Sequence, residues 1–316
     1  MNEARVTSRR DMWVHMLLYP GHTLPTAAAP AMVAAGLAVR NEVFAAAPVL
    51  LAFLAGWLIQ LGGVLTDNYE NLVKHPNDRE HPQLVHALRD GALTLSGLRA
   101  AIFGCYGVAL LAGAWLLHHA GLPVLVIGVL SIGASWIYSA GPFPFGERGI
   151  ADPLFFVFFG IVSVAGCYYV QAVPSYGFPT SFWQAMPHAF PFAAFALSLP
   201  IGALTTNILI IDDIRDREFD IAKGKRTIAV RAGMAWSRAE FVTLLTLSYL
   251  APVWFWLGLG FGPSILLPLL TLPYAVSTVR GALTLDRFDD LVPMTPKAAR
   301  LLLLYAMFLA IGVAKG

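Results

Sequence analysis

Residues 200–220 read PIGALTTNILIIDDIRDREFD. An uncharged run passes without a break into a dense acidic and basic cluster. Asp212, Asp216 and Asp220 recur at i, i+4 and i+8. On an α-helix these positions share one face, drifting by only about 40° per step. Like charges at that spacing repel, so three in register ask for a positive ligand. Acids at the inner end of an apolar span are functional candidates. Asn207 lies one and a half turns earlier, near Thr205 and Thr206.

The apolar run belongs to a chain of 316 residues, 57% apolar and 13% charged, where a soluble domain carries about 25% charged residues. No charged residue lies between Glu42 and Asp67, Arg99 and Glu147, Asp152 and Asp212, or Glu240 and Arg280, gaps of 24, 47, 59 and 39 residues. A membrane helix needs about 20 apolar residues, so these gaps hold one, two, two and two spans. This composition excludes a soluble enzyme, a secreted disulfide scaffold and a disordered chain. Cys105 and Cys167 both fall inside apolar gaps and read as packing residues. A net charge of +2 gives no case for nucleic acid binding. The brief apolar run 12–19 lacks a small-residue cleavage site and does not read as a removable signal peptide.

Gly, Pro and His breaks divide the chain into nine expected spans, near residues 26–39, 43–65, 99–117, 123–138, 152–170, 190–211, 241–259, 263–277 and 301–313. Alternate loops then lie on opposite sides. Segments 1–25, 66–99, 139–151, 212–240 and 278–300 hold 19 of the 21 Lys and Arg, and only Arg40 and Lys315 fall opposite. By the positive-inside rule the N-terminal segment 1–21 is cytoplasmic and the C-terminus outside. Acidic residues follow the same split except for Glu42, which that rule does not require.

A second acidic segment leaves span two. Asp67, Asn68 and Asn71 stand at i, i+1 and i+4, all with side-chain oxygens. Mg²⁺ takes hard oxygen ligands through one or two carboxylates and shares substrate phosphates. Two oxygen-rich helix ends facing each other would hold metals and a diphosphate between them, with Asp67, Asn68, Asn71, Asp212, Asp216 and Asp220 as ligands. Lys223, Lys225, Arg226 and Arg231 follow the acidic row, and Arg and Lys are phosphate binders. Asp78, Glu80, Asp90 and Glu218 read as solvated helix ends.

The second segment and its tail, Asp212, Ile214-Arg215-Asp216, Asp220, Gly224-Lys225-Arg226-Thr227 and Val230-Arg231-Ala232-Gly233, resemble the second Asp-rich motif of the UbiA superfamily of intramembrane prenyltransferases. The branch it is most similar to is that of the MenA-type 1,4-dihydroxy-2-naphthoate prenyltransferases. Tyr138-Ser139-Ala140-Gly141-Pro142, then Gly146, Gly149, Asp152 and Phe158-Phe159-Gly160, resemble the family's loop between spans four and five. Thr23-Leu24-Pro25 with Pro30 is similar to its opening. The first motif departs: where the family reads Asn-Asp-x-x-Asp, this chain reads Asp67-Asn68-x-x-Asn71. One carboxylate is missing, and Asp78 and Glu70 are candidates to supply it.

The resemblance implies an all-α integral membrane protein of the cytoplasmic membrane. It implies a single domain over 1–316, with nine transmembrane helices in a UbiA-like bundle and an active-site cap on the cytoplasmic side. It implies Mg²⁺-dependent transfer of a polyprenyl group from a prenyl diphosphate to an aromatic acceptor, with membrane lipid as the other partner. Asp67, Asn68, Asp212, Asp216 and Tyr138 are then the catalytic residues, and Lys74, Arg215, Lys225, Arg226 and Arg231 bind the diphosphate. Tyr138, Tyr69 and the Phe residues of span five are candidates to shield the allylic cation, and Asp67 or a water to take the acceptor's proton. Two other readings are a related enzyme with a different acceptor or a cyclisation, and a transporter with an acidic site. No midplane charge favours the transporter.

Overall fold

The computed structural model describes residues 12–13, 23–77, 80–176 and 187–316. Among them there are helices and turns and no strand. The helices are α1 (Thr23–Arg40), α2 (Ala46–Lys74), α3 (Pro82–Arg89), α4 (Leu95–Ala120), α5 (Leu122–Ser139), α6 (Ala151–Tyr176), α7 (Phe192–Lys223), α8 (Ile228–Arg231), α9 (Met234–Gly258), α10 (Pro263–Thr284), α11 (Phe288–Leu291) and α12 (Met294–Lys315). Eight are long and apolar enough to cross a membrane: α2, α4, α5, α6, α7, α9, α10 and α12. They cover the second to ninth expected spans except for residues 43–45, 190–191 and 259. The first expected span lies in α1, which is not one of the eight. α1 is rich in Ala, contains Pro30, and buries Ala29, Val33, Ala34 and Leu37 completely or nearly so. The N-terminal segment 1–21 lies outside the described residues apart from Met12 and Trp13.

Two helices run well past the edges that charge alone marks. The expected spans end at Leu65 and Ile211, whereas α2 continues to Lys74 and α7 to Lys223. A helix bonds its own backbone, so it has no reason to end where the side chains turn polar. At 1.5 Å per residue the 32 residues of α7 extend about 48 Å, well over the hydrocarbon thickness of about 30 Å. The last turns therefore carry the acidic row clear of the apolar stretch. Gly224 ends the helix in the left-handed conformation (φ 74°), which only Gly adopts without strain. The turn it makes brings Lys225 N onto Asp220 O at 2.9 Å and returns the basic tail to the acids.

Packing divides most of the bundle into two halves, and a third cluster, of Leu116, Val124, Tyr169 and Val170, joins α4 and α5 to α6. The larger core joins α1, the second half of α6, α7, α9, α10 and α12. A smaller one joins α2, α3 and α4. α7 lies deepest in the larger half, with Leu197 and Ile201 fully buried. It meets α6 backbone to backbone, for a Cβ on Gly160 would fall 2.6 Å from Gly202 Cα. Such small-residue contacts are a principal means of joining helices where lipid removes the hydrophobic drive. At this contact α6 opens into a π-helical segment, Phe156–Val162, a form frequent at functional sites.

Replacing Gly160 by Val is expected to force α6 from α7 and to lower stability in detergent by about 1–3 kcal/mol. Gly104→Ala, where nothing lies within 4 Å of the new Cβ, is expected to stay within about 0.5 kcal/mol of the parent. A thermal melt distinguishes them, and equal midpoints would refute the close contact.

Candidate active site

A cavity of about 1790 Å³ lies between the two halves, larger than the roughly 300–1,000 Å³ of an ordinary small-molecule pocket. Along α2 its wall runs from Ala52 to Asn68, a depth of about 24 Å at 1.5 Å per residue. The two ends differ in chemistry. The deep part is walled by apolar side chains such as Ala55, Leu117, Val124, Val129 and Val162. The mouth is lined by Asp67, Asn68, Asp212, Asp213, Asp216 and Asp220, with Arg215 and Lys225 among them.

Each acid at the mouth is held differently. Ser139 Oγ donates to Asp67 Oδ1 at 2.8 Å, and Asn71 Nδ2 donates to Oδ2 at 3.0 Å. Arg215 makes a forked contact with Asp216, Nε to Oδ1 at 2.7 Å and Nη2 to Oδ2, and its Nη1 also bonds Asp212. Thr295, from the start of α12, accepts from Arg215 Nη1 at 3.0 Å and donates to Asp212 Oδ1. Asp220 pairs with Lys225 at 3.1 Å and receives the Thr227 hydroxyl at 3.4 Å. Asp213 has no hydrogen bond or ion pair among the described residues, and its carboxylate lies within electrostatic reach of Asp152, Asp220, Asp212 and Asp216.

Lys225 pairs with Asp220 of α7 and lies within electrostatic reach of Asp67 of α2. Burial works against its ammonium, but Asp67, Asp220 and Glu80 hold it above the ordinary lysine range, so it stays charged through neutral pH. The rim is tied by a second set of contacts. Lys223 pairs with Glu80, and Lys74 pairs with Glu70 and with Glu147 at 3.4 Å each. Arg226 N donates to Glu147 O at 2.6 Å, joining the turn after α7 to the loop before α6. Inside the mouth the Tyr138 ring packs on Phe155 (centroids 5.7 Å), and Phe155 on Phe159 (4.9 Å). Gly146 permits this, since a Cβ there would lie 2.9 Å from the Tyr138 ring.

Of the residues expected from sequence, Asp67, Asn68, Tyr138, Asp212, Arg215, Asp216, Asp220 and Lys225 line the cavity. Asn71 does not line it and instead holds Asp67 through its amide nitrogen. Lys74 lies at the rim in its two ion pairs. Arg226 and Arg231 are exposed and outside the lining, with Arg231 reaching Arg148 O at 3.5 Å. Glu80 departs from the solvated reading: its side chain is only 7% exposed, because the pairing with Lys223 closes over it. Asp90 and Glu218 are exposed as read, and Asp78 lies outside the described residues.

Three lining residues are not evident from the acidic rows as first read. Asp213 had a signal: Asp213, Asp216 and Asp220 stand at i, i+3 and i+7, within about 60° of one another, a tighter face than that of Asp212, Asp216 and Asp220. Ser139 and Thr295 had none, since their roles depend on helices that only the fold brings together. Among the described residues no three His, Cys, Asp or Glu side chains converge enough to hold a metal unaided. The donor set is nonetheless of carboxylate and amide oxygens, which suits Mg²⁺ held by one or two carboxylates and completed by water and phosphate.

A model of the UbiA prenyltransferase family matches residues 27–290. The chain is 28% identical over 309 residues to the 1,4-dihydroxy-2-naphthoate octaprenyltransferase of Escherichia coli (strain K12), covering 90% of this chain and 94% of that protein. Among solved structures, the apo UbiA homolog from Aeropyrum pernix K1 aligns with a TM-score of 0.64 at 16% identity, over 90% of this chain and 96% of that one. The UbiA homolog from Archaeoglobus fulgidus bound to GPP and Mg²⁺ aligns with a TM-score of 0.59 at 14% identity, over 94% and 99%. Both share the fold.

Thr295 is the link from α12 to the acids of α7. Thr295→Val removes one donor and one acceptor from a buried charged network and is expected to cost about 1–3 kcal/mol, read by thermal unfolding in detergent. Thr295→Ser restores the hydroxyl and the stability. Equal midpoints for the Val and Ser variants would show that the hydroxyl does not bridge.

Proposed function

The chain belongs to the UbiA prenyltransferase family, an integral membrane prenyltransferase, and from that premise we propose that it transfers a polyprenyl group from its diphosphate to an aromatic acceptor of the 1,4-dihydroxy-2-naphthoate kind. The observation that carries this reading is the cavity's division into a charged mouth and a deep apolar remainder. A prenyl diphosphate has the same division. Its tail gains about 0.8 kcal/mol per CH₂ removed from water, and its head needs cations. The acceptor class is supported by the name of the Escherichia coli relative, and the donor and metal by the GPP and Mg²⁺ bound to the Archaeoglobus fulgidus homolog.

In this reading Asp67, Asn68, Asp212, Asp216 and Asp220 hold Mg²⁺, with Asn71 keeping Asp67 in place. When bound, Mg²⁺ stabilises the negative charge that develops on the leaving diphosphate. Lys225 and Arg215 add fixed positive charge beside it, where little water competes and each is worth more. Lys74, Arg226 and Arg231 extend the positive field to the rim. The stacked rings of Tyr138, Phe155 and Phe159 offer π-faces to an allylic cation and exclude water from it. α1 is the ninth crossing, and the charged mouth faces the cytoplasm, as the concentration of 19 of 21 basic residues on one side of the expected topology supports. The N-terminal side is then cytoplasmic, the C-terminus outside, and the membrane the cytoplasmic one.

The test uses purified protein with Mg²⁺, a prenyl diphosphate and a panel of aromatic acceptors, following diphosphate release and product mass. Release is expected to stop with EDTA and return with Mg²⁺. It is expected to fall at least about a hundredfold in Asp216→Ala. Full activity in that variant, or no Mg²⁺-dependent release with any acceptor, would end the reading.

A further inference from the structure

The first acidic segment is one carboxylate short of its family pattern, and the structure narrows where the charge has gone. Glu70 is paired with Lys74 and does not line the cavity. Asn71 turns its amide nitrogen to Asp67. α2 thus offers the mouth a single carboxylate, while α7 offers four, Asp212, Asp213, Asp216 and Asp220.

These five acids have two cations among them. Arg215 is shared by Asp212 and Asp216, and Lys225 bonds Asp220. At the rim Lys223 pairs with Glu80, and Lys74 with both Glu70 and Glu147, so these contacts leave no cation over for the mouth. Negative charge is therefore left over at the mouth, and Asp213 is the α7 carboxylate on which it falls, the one with neither hydrogen bond nor ion pair among the described residues. Close to it stands Asp152, 4% exposed, whose Oδ1 meets no hydrogen-bond donor. Asp213, Asp67 and Tyr138 all line the same cavity. A site of excess, unpaired oxygen charge between two helices is where a divalent cation gains most.

We propose that Asp213 is a metal-binding carboxylate, supplying from α7 the charge that Asp67-Asn68-x-x-Asn71 lacks on α2. It serves the metal without disturbing an ion pair, whereas Arg215 holds both oxygens of Asp216 and shares Asp212 Oδ1 with Thr295. This assignment rests on the prenyltransferase reading above, and it shifts the centre of metal binding toward α7.

Mn²⁺ tests it independently of turnover. The full chain in detergent is titrated with Mn²⁺, with and without inorganic diphosphate, and free Mn²⁺ is read by electron paramagnetic resonance. Asp213→Asn is expected to weaken binding at least about tenfold with a thermal midpoint no lower than the parent's, because the carboxylate has no partner to lose and only like-charged neighbours. Adding Asn71→Asp to that variant returns a carboxylate to α2 and is expected to recover most of the affinity. Glu218→Gln, an exposed acid on the same helix, is expected to titrate as the parent. A parent-like curve for Asp213→Asn, or an equal loss in Glu218→Gln, overturns the assignment. No Mn²⁺ binding by the parent, even with diphosphate, overturns the prenyltransferase reading and this assignment together.

Discussion

Carboxylates crowded on the last turns of α7 repel one another, and much of the surrounding structure answers that repulsion. They stand toward the negative end of a 32-residue helix, where the macrodipole disfavours them further. Left alone they would fray the helix or take up protons. Instead Arg215 lies between Asp212 and Asp216, and Gly224 turns the chain so that Lys225 returns to Asp220. Thr295 comes from α12, at the far end of the chain, to brace the first of these contacts. A network built to tolerate negative charge, and still short of cations, is also one prepared to bind them.

The same helix explains why the cavity survives. α7 is fixed on the α6 side by the contact of Gly160 with Gly202 and within the larger core by residues such as Leu197 and Ile201. α2 packs instead with α3 and α4 in a separate core. The space between is bounded by helices fixed in separate packed clusters, which hold its walls apart. The π-helical turn of α6 borders that space and carries Phe158 and Phe159 on its wall.

Much of this was legible from charge alone. The gaps in charge locate seven of the eight long apolar helices, because lipid leaves no alternative to a helix for an apolar segment of that length. Their ends were less legible, for α2 and α7 continue as helices after their side chains turn polar. Within the site, residues on one helix face were readable from spacing, and Asp213 was visible in the i, i+3, i+7 row once the row was started one residue later. Arg226 and Arg231 show the opposite error. They follow the acids closely in sequence, but of the basic residues after Gly224 only Lys225 lines the mouth. Glu80 looked solvated because its partner Lys223 lies 143 positions away, and Thr295 and Ser139 carry no local pattern at all.

The altered first motif then has a physical interpretation. A metal with a diphosphate responds to the oxygens around it and their summed charge, and is indifferent to which helix supplies them. Removing a carboxylate from α2 is tolerable if α7 presents an additional one to the same cavity, provided both helices are held rigidly enough for the ligands to meet. Lys225, paired with Asp220 and attracted by Asp67, draws the two helix ends toward each other. The motif by itself therefore understates the site. The physical quantity that matters is the negative charge that the mouth presents, and that quantity belongs to the fold.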